Sequence, residues 1–194
     1  MKLVRSFALT AALALAPAAA FAHPGHAGHD GFNLWAGLAH PFTGADHMLA
    51  MIAVGLWAVL RGGKALWAWP AAFITALLAG FVIGKSGFSL PLVEPAILAS
   101  VIVLGALTAA NAKAPTFVGL GLIAFFGAAH GYAHGEEAPG SAAGFPIGMA
   151  LATLALNGAG LAAGLGLQRL NKPDLIRWLG AGAAVGGLAL AVAG

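Results

Sequence analysis

Apolar runs, each long enough to cross a bilayer at about 17–25 residues, recur along the chain with only short polar interruptions. Six of them lie near 33–60, 66–84, 92–110, 114–134, 142–168 and 175–194. Short loops join them, so the pattern predicts one all-α polytopic membrane helix bundle over 33–194, without a linker or a second domain. The first run exceeds one straight helix, and Pro41 is expected to divide it into a short segment and a spanning helix from near Thr43. A further apolar stretch precedes the six. Lys2 and Arg5 form a basic head, Phe7 to Ala16 an apolar middle, and Ala20-Phe21-Ala22 an A-x-A cleavage site. This is the pattern of a signal peptide, 1–22. A retained first transmembrane helix is the alternative, but the short run and the clean A-x-A favour cleavage after Ala22. Cleavage leaves a histidine-rich segment, 23–32, as the mature N-terminus outside the cytoplasm.

Composition agrees with a lipid solvent. The 194 residues are 60% hydrophobic and 8% charged, and the mean hydropathy is +0.91. A soluble domain of this size carries about a quarter charged residues. The sequence pI of 9.7 does not signal nucleic acid, because the net charge is only +3 and no basic cluster exists. There is no cysteine, which excludes disulfides, thiolate metal sites and cysteine nucleophiles. Any metal must be held by histidine, carboxylate, carbonyl or thioether.

Loop charge then gives an orientation. With the mature N-terminus outside, the loops after the first, third and fifth spans are cytoplasmic, and both termini are periplasmic. Those loops carry Arg61, Lys64, Lys113, Arg169, Lys172 and Arg177, whereas the outer loops carry only Lys85. That is a strong positive-inside bias. Glycine pairs at helical spacing, Gly160 with Gly164 and Gly182 with Gly186, allow close helix approach. They serve either packing within the bundle, the favoured reading, or a homo-oligomer interface. Trp35, Trp57, Trp67, Trp69 and Trp178 fall near span ends, as in an aromatic belt.

Four histidines and three acids gather at two helix ends on the outer side. His40, Asp46 and His47 lie at the outer end of the first span, and His130, His134, Glu136 and Glu137 at the outer end of the fourth. Charge in hydrocarbon costs at least about 2.5–3.5 kcal/mol per residue on insertion scales, so such groups usually face a partner or a water-filled path. His130 and His134 are spaced i,i+4 on one helical face with Glu137 beyond, a chelating arrangement. His47 and Met51 are also i,i+4. His40 precedes Pro41 and is expected outside helical geometry, folding over the start of the spanning helix. Plainer roles exist for each: a packed histidine, an Asp46 favoured by the helix dipole, a solvated Glu136–Glu137 pair, a packing Met51. The joint clustering points instead to a metal or proton site. Histidine and carboxylate without cysteine suit Ni(II), Co(II) or Zn(II), and histidines must be neutral to bind. The segment HPGHAGHD, 23–30, places His23, His26 and His29 where they can concentrate metal loosely or act as an inert leader.

The stretch HPFTGADHMLAMIAVG, 40–55, resembles the signature H-P-x-x-G-x-D-H-x-L-A-M of the HupE/UreJ family of nickel and cobalt permeases. HGYAHGEEAP, 130–139, is similar to that family's other histidine-glycine-glutamate motif. The resemblance extends over the signal peptide, the histidine-rich segment and the six spans. It implies a small bacterial inner-membrane transporter that imports Ni2+ or Co2+, commonly for hydrogenase, urease or cobalamin enzymes. It would assign metal handling to His40, Asp46, His47, His130, His134 and Glu137, with Glu136 secondary. Asn157 departs from the pattern, standing where a histidine is frequent. Its carbonyl can coordinate a metal, or the side chain can make an interhelical hydrogen bond.

The expected function is therefore a permease, not an enzyme, with no prosthetic group; its partners are the divalent ion it carries and the bilayer. An intramembrane metalloenzyme would use the same histidines, but no H-E-x-x-H and no nucleophile arrangement is present. A metal sensor without flux is the third reading. Nickel and cobalt accept the same ligands, so the residues do not choose between them.

Overall fold

The computed structural model describes residues 33–138 and 144–193. The predicted signal peptide 1–22 and the histidine-rich segment 23–32, with His23, His26 and His29, lie outside the described residues. Among the described residues every element is helical: α1 (Leu34–Ala39), a 3-10 turn (His40–Phe42), α2 (Ala45–Arg61), α3 (Ala65–Gly84), α4 (Val93–Ala109), α5 (Thr116–Glu137), α6 (Gly144–Arg169) and α7 (Asp174–Ala193). Four of these, α3, α5, α6 and α7, are long and apolar enough to cross a membrane. The segment before the break and α2 form a fifth such unit, bent by 81°, and α4 is a shorter apolar helix of 17 residues.

The first apolar run is divided, though not at Pro41 itself. Pro41 occupies the first turn of the 3-10 segment, where its missing N–H leaves no bond unmade. Thr43 closes that turn on His40 O, through its backbone N–H at 2.9 Å and its hydroxyl at 2.7 Å. Gly44, at φ −106° and ψ 124°, is extended and caps α2. His40, expected outside helical geometry, is instead helical at φ −53° and ψ −51°, because its N–H still donates to Ala36 O in the last turn of α1.

Close glycine contacts define which helices run together. A methyl placed on Gly127, Gly131 or Gly135 would strike the backbone of Phe73, Leu77 or Phe81 in turn. The matching four-residue steps make α3 and α5 parallel, in the most extensive interface of the bundle. Gly55 meets the Asn157 carbonyl, and Gly160 meets Ile52 O, with Gly164 against Val59; α2 and α6 are therefore parallel as well. Gly180 meets Thr108 while Gly187 meets Val101 and Ile102, so α4 and α7 are antiparallel. With α2 and α3 joined by the three residues 62–64, the six long helices alternate in direction. Gly160 and Gly164 thus serve packing inside the bundle, whereas Gly182 meets nothing.

The two ends differ in chemistry. At one end Arg61 Nε donates to Ala114 O (2.9 Å) and Arg177 Nε to Ala109 O (3.0 Å). Trp57 and Trp69 close this end from inside, which corrects their assignment to a lipid-facing belt. Both are buried, their rings lie 4.4 Å apart, and their indole N–H groups donate to Ala112 O and Thr116 O. Trp35, Trp67 and Trp178 are exposed on the apolar surface. The opposite end holds the histidines.

Candidate metal centre

The 81° bend turns α1 and its 3-10 extension across the end of the bundle. Gly37 and Gly148 make this possible, since a side chain on Gly37 would strike the Phe145 backbone and one on Gly148 the Leu34 carbonyl. His40 therefore arrives from above, His47 from the first turn of α2 and His134 from the last turn of α5. His134 Nε2 lies 3.2 Å from His40 Nε2 and 2.8 Å from His47 Nε2. The three ligand atoms fall within 4.8 Å of one another. Two ligands at right angles on an ion with metal–nitrogen bonds of about 2.1 Å are separated by about 3.0 Å, close to both measured edges.

The carboxylates act on the other ring nitrogens. Asp46 Oδ1 accepts from His47 Nδ1–H at 2.9 Å and from the His47 backbone N–H at 2.8 Å. That fixes the His47 tautomer, because a carboxylate only accepts, and leaves Nε2 bare toward the centre. Glu137 Oε2 stands 3.9 Å from His134 Nδ1, an ion-pair distance longer than a hydrogen bond. With its proton on Nε2, His134 donates to the bare His47 Nε2 at 2.8 Å; a bound cation would replace that proton and take both lone pairs. A carboxylate behind a ligating histidine is the usual outer support of a metal site. Asp46 is thus placed behind His47 rather than among the converging atoms, and so is Glu137 behind His134.

His130, one turn from His134 on α5, leaves the trio. Its ring lies 4.8 Å from that of His47, but its Nε2–H donates to Ser100 Oγ at 3.0 Å. The Ser100 hydroxyl hydrogen is already committed to Ile97 O, so it can only accept from the imidazole. His130 Nδ1, fully buried, then carries a lone pair without a partner among the described residues. Phe73 packs beside this ring at 5.6 Å, and Phe145 lies 5.5 Å from His40 and 6.3 Å from His134. Apolar walls thus surround the polar cluster.

Of the remaining candidates, Met51 is buried in the apolar core and is held there by packing. Asn157 is fully buried on α6, and neither amide atom has a partner among the described residues. Glu136 is exposed and, with Glu137 and Glu94, lines a recess of about 500 Å³ beside the trio. Glu94 was not singled out from the sequence, although it opens the third span on the same side as the two histidine motifs. Ser100, a buried serine of α4, is set against His130 only by the fold.

A family described as HupE / UreJ protein matches residues 11–190 of the chain. "Protein HupE" of Rhizobium leguminosarum bv. viciae is 43% identical over 197 residues, which cover 99% of this chain and all of that protein. No solved structure matches the chain.

Proposed function

Because the chain belongs to the HupE/UreJ family, we propose that it imports Ni2+ or Co2+ across the bacterial inner membrane, using the three-histidine centre to capture the ion. Proteins of this family are metal transporters, not enzymes. The observation that carries the ion-capture reading is the convergence of His40, His47 and His134, drawn from a bent span and a distant helix, onto one point at one end of the bundle.

In this reading the bent unit, α4 and the four longer helices make six spans. The positive-inside bias supports a cytoplasmic location for the end bearing Arg61, Lys113 and Arg177, with the centre and both termini on the periplasmic side. In the same reading the signal peptide is removed after Ala22, so that His23, His26 and His29 lead the mature protein. Glu136, Glu137 and Glu94 draw a hydrated cation toward the recess, and the imidazoles replace its water stepwise. Asp46 and Glu137 hold the ligand rings, and His130 waits one turn deeper. Conduction demands binding strong enough to capture and weak enough to release. Three imidazoles with open coordination positions meet that demand better than a closed cage. The membrane potential favours inward movement by about 2.3 kcal/mol per charge per 100 mV.

The test is uptake of radioactive nickel and cobalt by cells expressing the wild type or His47→Ala. The variant is expected to lose at least tenfold in initial rate at limiting metal. Equal uptake by both would remove His47 from the function.

A further inference from the structure

The ion needs a way through the bundle below the histidines, and the packed core there is apolar with few exceptions. Among the described residues, the buried side-chain atoms without a hydrogen-bond partner are His130 Nδ1, Thr153 Oγ1 and both amide atoms of Asn157. All three residues are 0% exposed. Buried polar groups in native structures are almost always paired, because an unpaired one loses its water without compensation. In a membrane bundle an asparagine usually finds a neighbouring helix to bond with. Here Asn157 does not.

The register places these groups in sequence. Residues 153, 157, 160 and 164 follow the 4-3-4 spacing of one helical face. Gly160 and Gly164 meet Ile52, Gly55 and Val59, so that face of α6 is the one presented to α2. The Asn157 backbone carbonyl lies at the level of Gly55, eight residues beyond His47 and so about 12 Å deeper at 1.5 Å per residue. Thr153 stands one turn back toward the histidines. His130 is one turn deeper than His134, about 6 Å by the same rise. Beyond Asn157 come the paired rings of Trp57 and Trp69. A descending order results: trio, then His130 and Thr153 at about the same depth, then Asn157 and the tryptophan pair.

We propose that Thr153 and Asn157 form a second, oxygen-based ion position on the α2-facing side of α6, which receives the partly hydrated divalent cation from the histidines. The proposal rests on the transport reading above. Its chemistry is a step down in ligand strength. Hydroxyl and amide oxygens hold nickel or cobalt more weakly than imidazole does, and the amide NH2 group, which cannot bind a cation, donates to the water the ion carries. A weaker site below a stronger one allows release inward.

The experiment compares full-length wild type, Asn157→Leu, Thr153→Val and the conservative pair Asn157→Asp and Thr153→Ser. Nickel binding is measured by calorimetry in detergent, and nickel flux in proteoliposomes under an inside-negative potential. The expected result for Asn157→Leu and Thr153→Val is a dissociation constant within threefold of wild type and a flux reduced tenfold or more. Asn157→Asp and Thr153→Ser, which keep the oxygen, retain at least a third of wild-type flux. Unchanged flux in Asn157→Leu would overturn the proposal. So would joint loss of binding and flux in both apolar variants, which would mark the residues as supports of the histidine centre. Wild-type protein that carries no metal at all would instead fail the transport reading itself.

Discussion

Replacing Asp46 with asparagine separates two roles that a carboxylate beside a histidine can play. The side chain is about the same size and can still accept from His47, so the first turn of α2 keeps its shape. What changes is the charge. The 2.9 Å bond from His47 Nδ1 becomes a neutral one of roughly half the strength, and the ring is no longer held to the tautomer that leaves Nε2 bare. Loss of such an outer support lowers metal affinity about 10–100-fold, or about 1.4–2.8 kcal/mol at 1.4 kcal/mol per factor of ten. The Asp46 side chain is 31% exposed, so water screens part of the effect, and the lower half of that range, about 10–30-fold, is expected. Removing the negative charge from the helix N-terminus costs only about 0.3–1 kcal/mol of stability. Calorimetric titration of Ni2+ into the detergent-solubilised chain should therefore show a dissociation constant 10–30-fold higher, with a melting temperature near that of wild type. An unchanged constant would refute the supporting role. A loss beyond about 1000-fold would refute it from the other side, by making Asp46 a direct ligand.

Two other consequences can be checked with the same protein. Gly131 lies against the Leu77 carbonyl between the two histidines of α5, so Gly131→Ala forces α3 and α5 apart. Overpacking of this kind costs about 1–3 kcal/mol, and both the thermal transition and nickel affinity should fall; an unaltered affinity would mean that the helix spacing does not set the centre. The absence of native cysteine makes topology directly readable with an impermeant maleimide on whole spheroplasts. Ser86→Cys should label without permeabilisation, and Lys113→Cys and Lys172→Cys only after it, whereas the opposite pattern would invert the orientation.

Much of the fold was legible because the apolar runs and the helices answer to the same constraint, a backbone with no water to bond to. The expected run 66–84 is α3 within one residue, and 92–110 is α4 within one at each end. The fourth helix runs past its expected end at 134 to Glu137. Polarity suggested a loop there, but Gly135 packs on the Phe81 backbone and extends the parallel contact with α3 by another turn. The bend and its place near Thr43 were legible, but the residue that makes it was not. Proline is the conspicuous breaker in HPFTG, yet a proline in a first turn breaks nothing, and the chain turns at Gly44.

The same distinction between local spacing and tertiary partner governs the site. An i,i+4 pair shares a helical face, and from that His130 and His134 looked like two ligands of one ion. Four residues also advance the helix by about 6 Å and rotate it by about 40° beyond a full turn, enough for each ring to find a different neighbour. His134 meets His40 and His47 from the bent span, whereas His130 meets Ser100 from α4. His40 and His47 stand 94 and 87 residues from His134, and Ser100 stands 30 from His130, so no local pattern could have assigned them. Asp46 shows the converse. Its adjacency to His47 suggested a second ligand, but adjacent residues on a helix point about 100° apart, and the short side chain instead folds back on its neighbour's ring and N–H. A centre built from one nitrogen each of the segment before the bend, α2 and α5 is sensitive to how those elements pack. Substitutions at Gly37, Gly131 or Gly148, which touch no ion, are therefore expected to weaken metal binding by displacing a histidine, just as loss of the histidine itself would.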